Sequence, residues 1–211
     1  MPKLYFNNQE IEFCEEAKNL GIIFDKDLNW KSHISNITSK VYYGLSSLWH
    51  SQNVTPINIR IDLVKSLLLP IFTYCNLLFM DCSQESWDNL EKCFNYCTRY
   101  AFGLKKFDSI SDFRESILGC SLKTHFKLMA CIFMHKLLLF QKPECLFQSL
   151  SFPRHPRYNN LITKSYKHKS RKESFFIYGP ILWNSLPNDI REIKSTAKFK
   201  EKCLDFLKTK I

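Results

Sequence analysis

KSHISNITSKVYYGLSSLWHS, residues 31–51, decides the architecture. Ile34, Ile37, Val41, Leu45 and Leu48 recur at three- and four-residue steps, the spacing that places apolar side chains on one face of an α-helix. Four further stretches extend that reading. Thr55-Pro56 supplies an N-cap and a first-turn proline for a helix to about Phe79, apolar nearly all round, kinked at Pro70 and therefore central and buried. Ser83 opens a helix ending at Gly103, a short one covers 111–118 before Gly119, and 122–141 makes a strong one stopped by Pro143. The fold class expected is mainly α, a helical bundle.

Before this bundle the periodicity differs. KLYF and QEIEF flank Asn7-Asn8, two β-prone runs around an Asn pair, which predicts a hairpin. Leu20–Phe24 reads as a third strand. Three such strands do not fold alone, so residues 1–28 resemble the edge of a sheet; residues 29–149 form the helical domain.

Residues 150–211 change character again. The chain carries +10 overall; residues 1–149 hold 16 Lys+Arg against 15 Asp+Glu, and residues 150–211 hold 14 against 5. SFPRHPRYNNLITKSYKHKSRK, residues 151–172, contains seven basic residues and no acidic one. It reads as an extended arm with a polyanionic partner, nucleic acid ahead of a membrane surface. Arg154, Arg157, Lys164, Lys167, Lys169, Arg171 and Lys172 supply charge for phosphates, while Tyr158 and Tyr166 supply rings for bases. Lys167–Lys172 is equally readable as a nuclear-import signal, and the whole stretch as a solvated loop. Beyond it, Phe175–Tyr178 is a strand-like apolar run, Gly179-Pro180 a turn, and Ile181–Leu186 a short apolar turn ended by Pro187. A final helix starts at about Thr196, capped by Ser195, with Phe199, Cys203, Phe206 and Leu207 on one face. This tail is expected to pin the chain end to the body with its lysines outward.

Several chemistries are disfavoured by what is missing. With five glycines the chain has neither G-x-G-x-x-G nor G-x-x-x-x-G-K-[ST], so no phosphate-cradling loop and no cofactor is expected. The first 19 residues hold no apolar signal core, and the longest apolar run, 66–80, is too short to span a bilayer. An intracellular chain, cytoplasmic or nuclear, follows as the expectation. Its nine cysteines then read as reduced, mostly core thiols.

Two stretches carry a resemblance. Leu20, Gly21, Ile23, Asp25, Leu28, Trp30, His33 and Ile34, within LGIIFDKDLNWKSHISNITSK, resemble the passage after the last palm strands of non-LTR retrotransposon reverse transcriptases. Gly179, Pro180, Leu182, Trp183, Asn184, Ser185, Leu186 and Pro187, followed by Ile190-Arg191 and Phe199-Lys200, are similar to the C-terminus of jockey- and CR1-like polyproteins. The resemblance implies the end of a palm, a thumb that grips a template–primer duplex, and a C-terminal tail. It also implies that fingers, most of the palm and any endonuclease would lie upstream. Such polymerases hold metals on an Asp-Asp pair, and this sequence contains none; Phe79-Met80-Asp81-Cys82 is the nearest approach. The implied role is therefore binding RNA or an RNA/DNA duplex without catalysis.

Other constellations have two readings each. Asp25-x-Asp27 is either a metal pair or a solvated turn. Trp30 and His33 either contact nucleic acid, or pack under and cap the helix start. Cys93, Cys97, Cys131 and His135 fall at i, i+4 spacing on two helices and could form a zinc site if those helices adjoin, or simply pack in a core. The rival functions are accordingly a helical protein-interaction scaffold and a zinc-stabilised binding module.

Overall fold

The computed structural model describes residues 4–11, 13–153, 160–163 and 175–209. Among the described residues it is mainly helical, with small strands near the N-terminus. Strands β1 (Leu4–Phe6) and β2 (Gln9–Ile11) pair antiparallel, Leu4 facing Ile11. Asn7 and Asn8 turn the chain at φ 49° and 60°, the double left-handed geometry that suits a two-residue hairpin and that Asn tolerates. The expected third strand is β4 (Ile22–Asp25), and it has a partner the sequence did not reveal, β3 (Glu16–Asn19). Leu20 and Gly21, at φ 47° and 85°, make the turn between them.

Helix α1 (Lys31–Trp49) buries Ile34, Ile37, Val41 and Leu45, as the period requires. It packs on α4 (Gln84–Phe102). The ends of α4 are those read from the sequence. The Ser83 hydroxyl accepts the Ser86 N–H, and Gly103 closes the helix at φ 70°. A side chain there would be strained by that φ and would sit 3.2 Å from Arg60 Nη1, which donates to the Tyr100 carbonyl.

The segment between these helices departs from expectation. Instead of one kinked helix to Phe79 there are α2 (Ile57–Leu63), a π-helical turn (Val64–Leu68) and α3 (Leu69–Thr73), then a left-handed Cys75 and a 3₁₀ turn (Asn76–Leu78). The Leu69 N–H reaches five residues back to Val64, so the hydrogen-bond ladder widens just before Pro70, which has no N–H to give. Only one face is buried: Val64, Leu68 and Phe72 are inside, while Leu67 is 53% exposed. Thr55 does not cap α2. Its hydroxyl turns back to the Ser51 carbonyl, and Pro56 itself precedes the first helical residue. The short helix expected at 111–118 shrinks to a 3₁₀ turn (Ser111–Phe113), because so few residues repay helix nucleation poorly.

Helix α5 (Leu122–Phe140) begins where the Ser121 hydroxyl accepts the Thr124 N–H, and α6 (Glu144–Ser149) follows. The tail corrects another expectation. Phe175–Tyr178 is not strand-like but the start of helix α7 (Phe175–Asn184), which runs through Gly179 and Pro180. Packing overrides local β-preference here. The Phe175 ring lies 5.1 Å from Phe133, and a Cβ on Gly179 would meet Met134 Sδ at 3.1 Å. Gly179 thus permits close helix approach instead of a turn. After Pro187 come α8 (Asn188–Arg191) and α9 (Thr196–Thr209); the Ser195 carbonyl accepts the Phe199 N–H at the start of α9.

Two apolar cores result. The first gathers Ile22, Trp30 and the inner faces of α1, α3 and α4; the second gathers α7 and α9 with Leu150 and Leu161. Helix α5 serves both, giving Leu122 and Phe126 to the first and Leu128, Cys131, Met134 and Leu137 to the second. As expected, Phe199, Cys203 and Leu207 turn inward and the α9 lysines outward. Among the described residues no helix is long and apolar enough to cross a membrane.

Candidate nucleic-acid interface

The residues of the first motif form a structural knot. Asp25 Oδ1 accepts the backbone N–H groups of Asp27 and Asn29 at 3.0 and 3.1 Å, and Oδ2 accepts that of Trp30 at 2.9 Å. One carboxylate thereby holds a turn in which Leu28 and Trp30 sit at φ 53° and 65°. Asp25-x-Asp27 is explained by this turn. Trp30 is 5% exposed, and its indole N–H donates to Asp81 Oδ1 at 2.8 Å. His33 is 3% exposed; its Nδ1 accepts the Ile23 N–H at 3.4 Å and its ring meets Phe79 edge-on at 5.4 Å. Burial holds its pKa below the usual histidine value, with the Lys40 charge adding to the effect. The nucleic-acid reading of Trp30 and His33 is thus corrected: both rings are buried, the Trp30 indole bonded to Asp81 and the His33 ring joining α1 to β4. His33 does not cap α1 either, since its ring reaches toward β4.

The four candidate zinc ligands are not brought together. Cys93 and Cys97 lie in the first core, Cys131 in the second, and His135 Nε2 is engaged with the Ile193 carbonyl at 2.6 Å. Among the described residues no group of three or more His, Cys, Asp or Glu could hold a metal ion. Burial instead pushes the Cys93 thiol up to about 12 and Cys97 well above its ordinary range, so both stay protonated. Cys14, Cys75 and Cys145 are exposed, and the other six cysteines are buried. A thiol reagent at neutral pH should therefore label three sites rapidly in the native protein and nine after denaturation. More than three fast sites would contradict the packing.

Arg154, Arg157, Tyr158, Lys164, Tyr166, Lys167, Lys169, Arg171 and Lys172 lie outside the described residues. The ground on which their segment is mounted is described. Ile162 donates to the Ser151 carbonyl at 2.8 Å, bringing the two sides of 152–161 together. The Asn184 amide grips Leu161 twice, accepting its N–H and donating to its carbonyl, each at 2.8 Å. Arg191 Nη1 donates to Asn160 Oδ1 at 2.5 Å. The second motif's Trp183-Asn184 is thus a core anchor followed by a clamp on the arm: Trp183 is 3% exposed and its ring lies 5.9 Å from Phe199.

Further positive charge lies on α5 and α9. Lys200 of α9 adds to burial in lowering the His125 pKa on α5, and Lys208 lies close enough to Cys120 to oppose the rise that burial causes there. Lys123 and Lys127 line an open cleft of about 720 Å³ together with Asp27, Asp81, Trp87 and Tyr178. The i, i+4 lysine spacing of α5 is visible in the sequence; that it faces this cleft depends on how α7 docks.

No family model matches the chain, and no curated protein or solved structure matches it.

Proposed function

We propose that this chain binds nucleic acid, RNA or an RNA/DNA duplex, through the basic arm of residues 154–172 mounted on the helical tail. The charge distribution carries the reading: nine of the ten net positive charges fall in residues 150–211, with two tyrosines among the arm's cations. The clamp of Asn184 and Arg191 on residues 160–161 supports it, because a held arm loses less conformational entropy on binding than a free one. The resemblance to the palm end and thumb of a non-LTR retrotransposon reverse transcriptase adds the context of a template–primer grip in a chain without its Asp-Asp pair.

Binding of the purified chain to an oligonucleotide, followed across salt concentration, tests this. With about four to six phosphate contacts, log K against log salt should fall with a slope near −4 to −5 on a duplex. A flat dependence overturns the reading. Given magnesium, nucleotides and a primed template, the chain should leave the primer unextended, since the sequence contains no Asp-Asp pair to hold the metals. Extension beyond that of a control preparation would sink the non-catalytic assignment.

A further inference from the structure

Beyond Gly103, where α4 ends, the chain turns over Lys105–Asp108, and the Asp108 N–H donates to the Lys105 carbonyl at 3.2 Å. In return Asp108 Oδ2 accepts the Lys105 N–H at 2.7 Å. Arg99 Nη1, from the last turn of α4, donates to the Lys105 and Asp108 carbonyls at 2.5 and 2.9 Å. The turn is thus fixed from beneath, and its two corners fall to Lys106 and Phe107. Phe107 is 91% exposed, with Lys106 Nζ 5.5 Å from its ring centroid. The fold gains little from that ring, since turn corners favour small polar residues and a ring in water buries no apolar area.

We propose that Phe107 is a stacking platform for one unpaired base of a single-stranded nucleic acid, with Lys105 and Lys106 on the flanking phosphates. The inference rests on the nucleic-acid reading above and deepens it, but it draws on no residue of the arm. Charge selects an anion: Arg99, Lys105 and Lys106 stand against one acid of the turn, Asp108, whose Oδ2 is already engaged. The ring selects the kind of anion. A base offers a flat π-face that stacks on a side chain without needing a pocket, which suits an aromatic on a protruding turn. The turn is also held before any ligand arrives, so little ordering entropy is lost on binding. A duplex would use the lysines, but its bases are stacked on one another, away from Phe107. An anionic lipid surface would accept the same residue types. One ring is a small apolar anchor, however, and its apolar neighbours Leu104 and Ile110 are half-buried and do not enlarge it.

The test uses the whole chain and four probes: a single-stranded RNA, the same RNA with an abasic site at every position, its duplex, and phosphatidylserine–phosphatidylcholine vesicles. Phe107→Ala should weaken binding of the intact single strand about tenfold, the scale of one lost base–aromatic stack. It should leave the abasic strand and the duplex unchanged. Phe107→Tyr, which keeps the ring, should bind like the wild type. Lys105→Gln with Lys106→Gln should flatten the single-strand salt slope by about 1.4 units, at about 0.7 per lost phosphate contact. Because Phe107 is almost fully exposed, its alanine variant should keep the parent's circular dichroism and melting. Equal binding of the intact strand by wild type and Phe107→Ala overturns the platform while leaving the arm reading intact. Vesicle binding lost in Phe107→Ala with RNA binding untouched also overturns it and assigns the turn to a lipid surface. Failure of the wild type to bind any oligonucleotide overturns both readings.

Discussion

Alanine in place of Trp183 should lower the free energy of unfolding by about 3–5 kcal/mol, the range for deleting a large buried aromatic. The indole is 3% exposed, lies 5.9 Å from the Phe199 ring at 26° and 6.4 Å from His135. Nothing small can fill that space without moving α7 or α9, so a cavity term adds to the lost transfer energy. The loss should be read from the denaturant midpoint at unchanged m-value. Ile181, two residues earlier and 47% exposed, provides the control: its alanine variant should stay within about 0.5 kcal/mol of the parent. A Trp183→Ala protein as stable as that control would mean the tail does not anchor the chain.

Changing Lys167, Lys169, Arg171 and Lys172 together to alanine should flatten the salt dependence of binding by roughly three units, at about 0.9 per lost phosphate contact. The reason is counterion release: each lysine or arginine on a phosphate frees condensed cations, and the favourable entropy of that release is what added salt removes. Lysine and arginine side chains almost never pack in a core without a partner, so the melting curve should not move. Unchanged slope and affinity would assign the cluster to nuclear import or to a plain solvated loop. Phosphate contacts carry no base information, so the sequence preference of the parent protein should be weak as well.

The helices were legible where their chemistry is local. Ser83 and Gly103 bound α4 because a side-chain cap and a left-handed C-terminal residue need only their own neighbours. The Asn7-Asn8 hairpin is local in the same way. Strand β3 was not legible. Its residues, Glu-Ala-Lys-Asn, are all exposed and have no β-pattern, so only pairing with β4 makes them a strand. The tail failed for the opposite reason: Phe175–Tyr178 has β-prone residues, and contact with Phe133 and Met134, far away in sequence, decides for a helix. At the candidate site, charge was visible and geometry was not. Trp30 and His33 look like contact residues until Asp81, about 50 positions on, is seen to take the indole N–H. Asn184 is one polar residue among many until Leu161 is placed against it.

Helix α5 has a consequence for how this protein can be divided. Since Leu122 and Phe126 complete one core and Leu128 to Leu137 the other, no peptide bond separates the chain into two independently folded halves. A protein ending before residue 122 exposes the first core along Phe79 and Trp87, both ring partners of Phe126; one starting after residue 140 leaves α7 and α9 with nothing beneath them. The basic tail is thus inheritable only together with the helical body, and any rearrangement that transplanted it would have to carry α5 along.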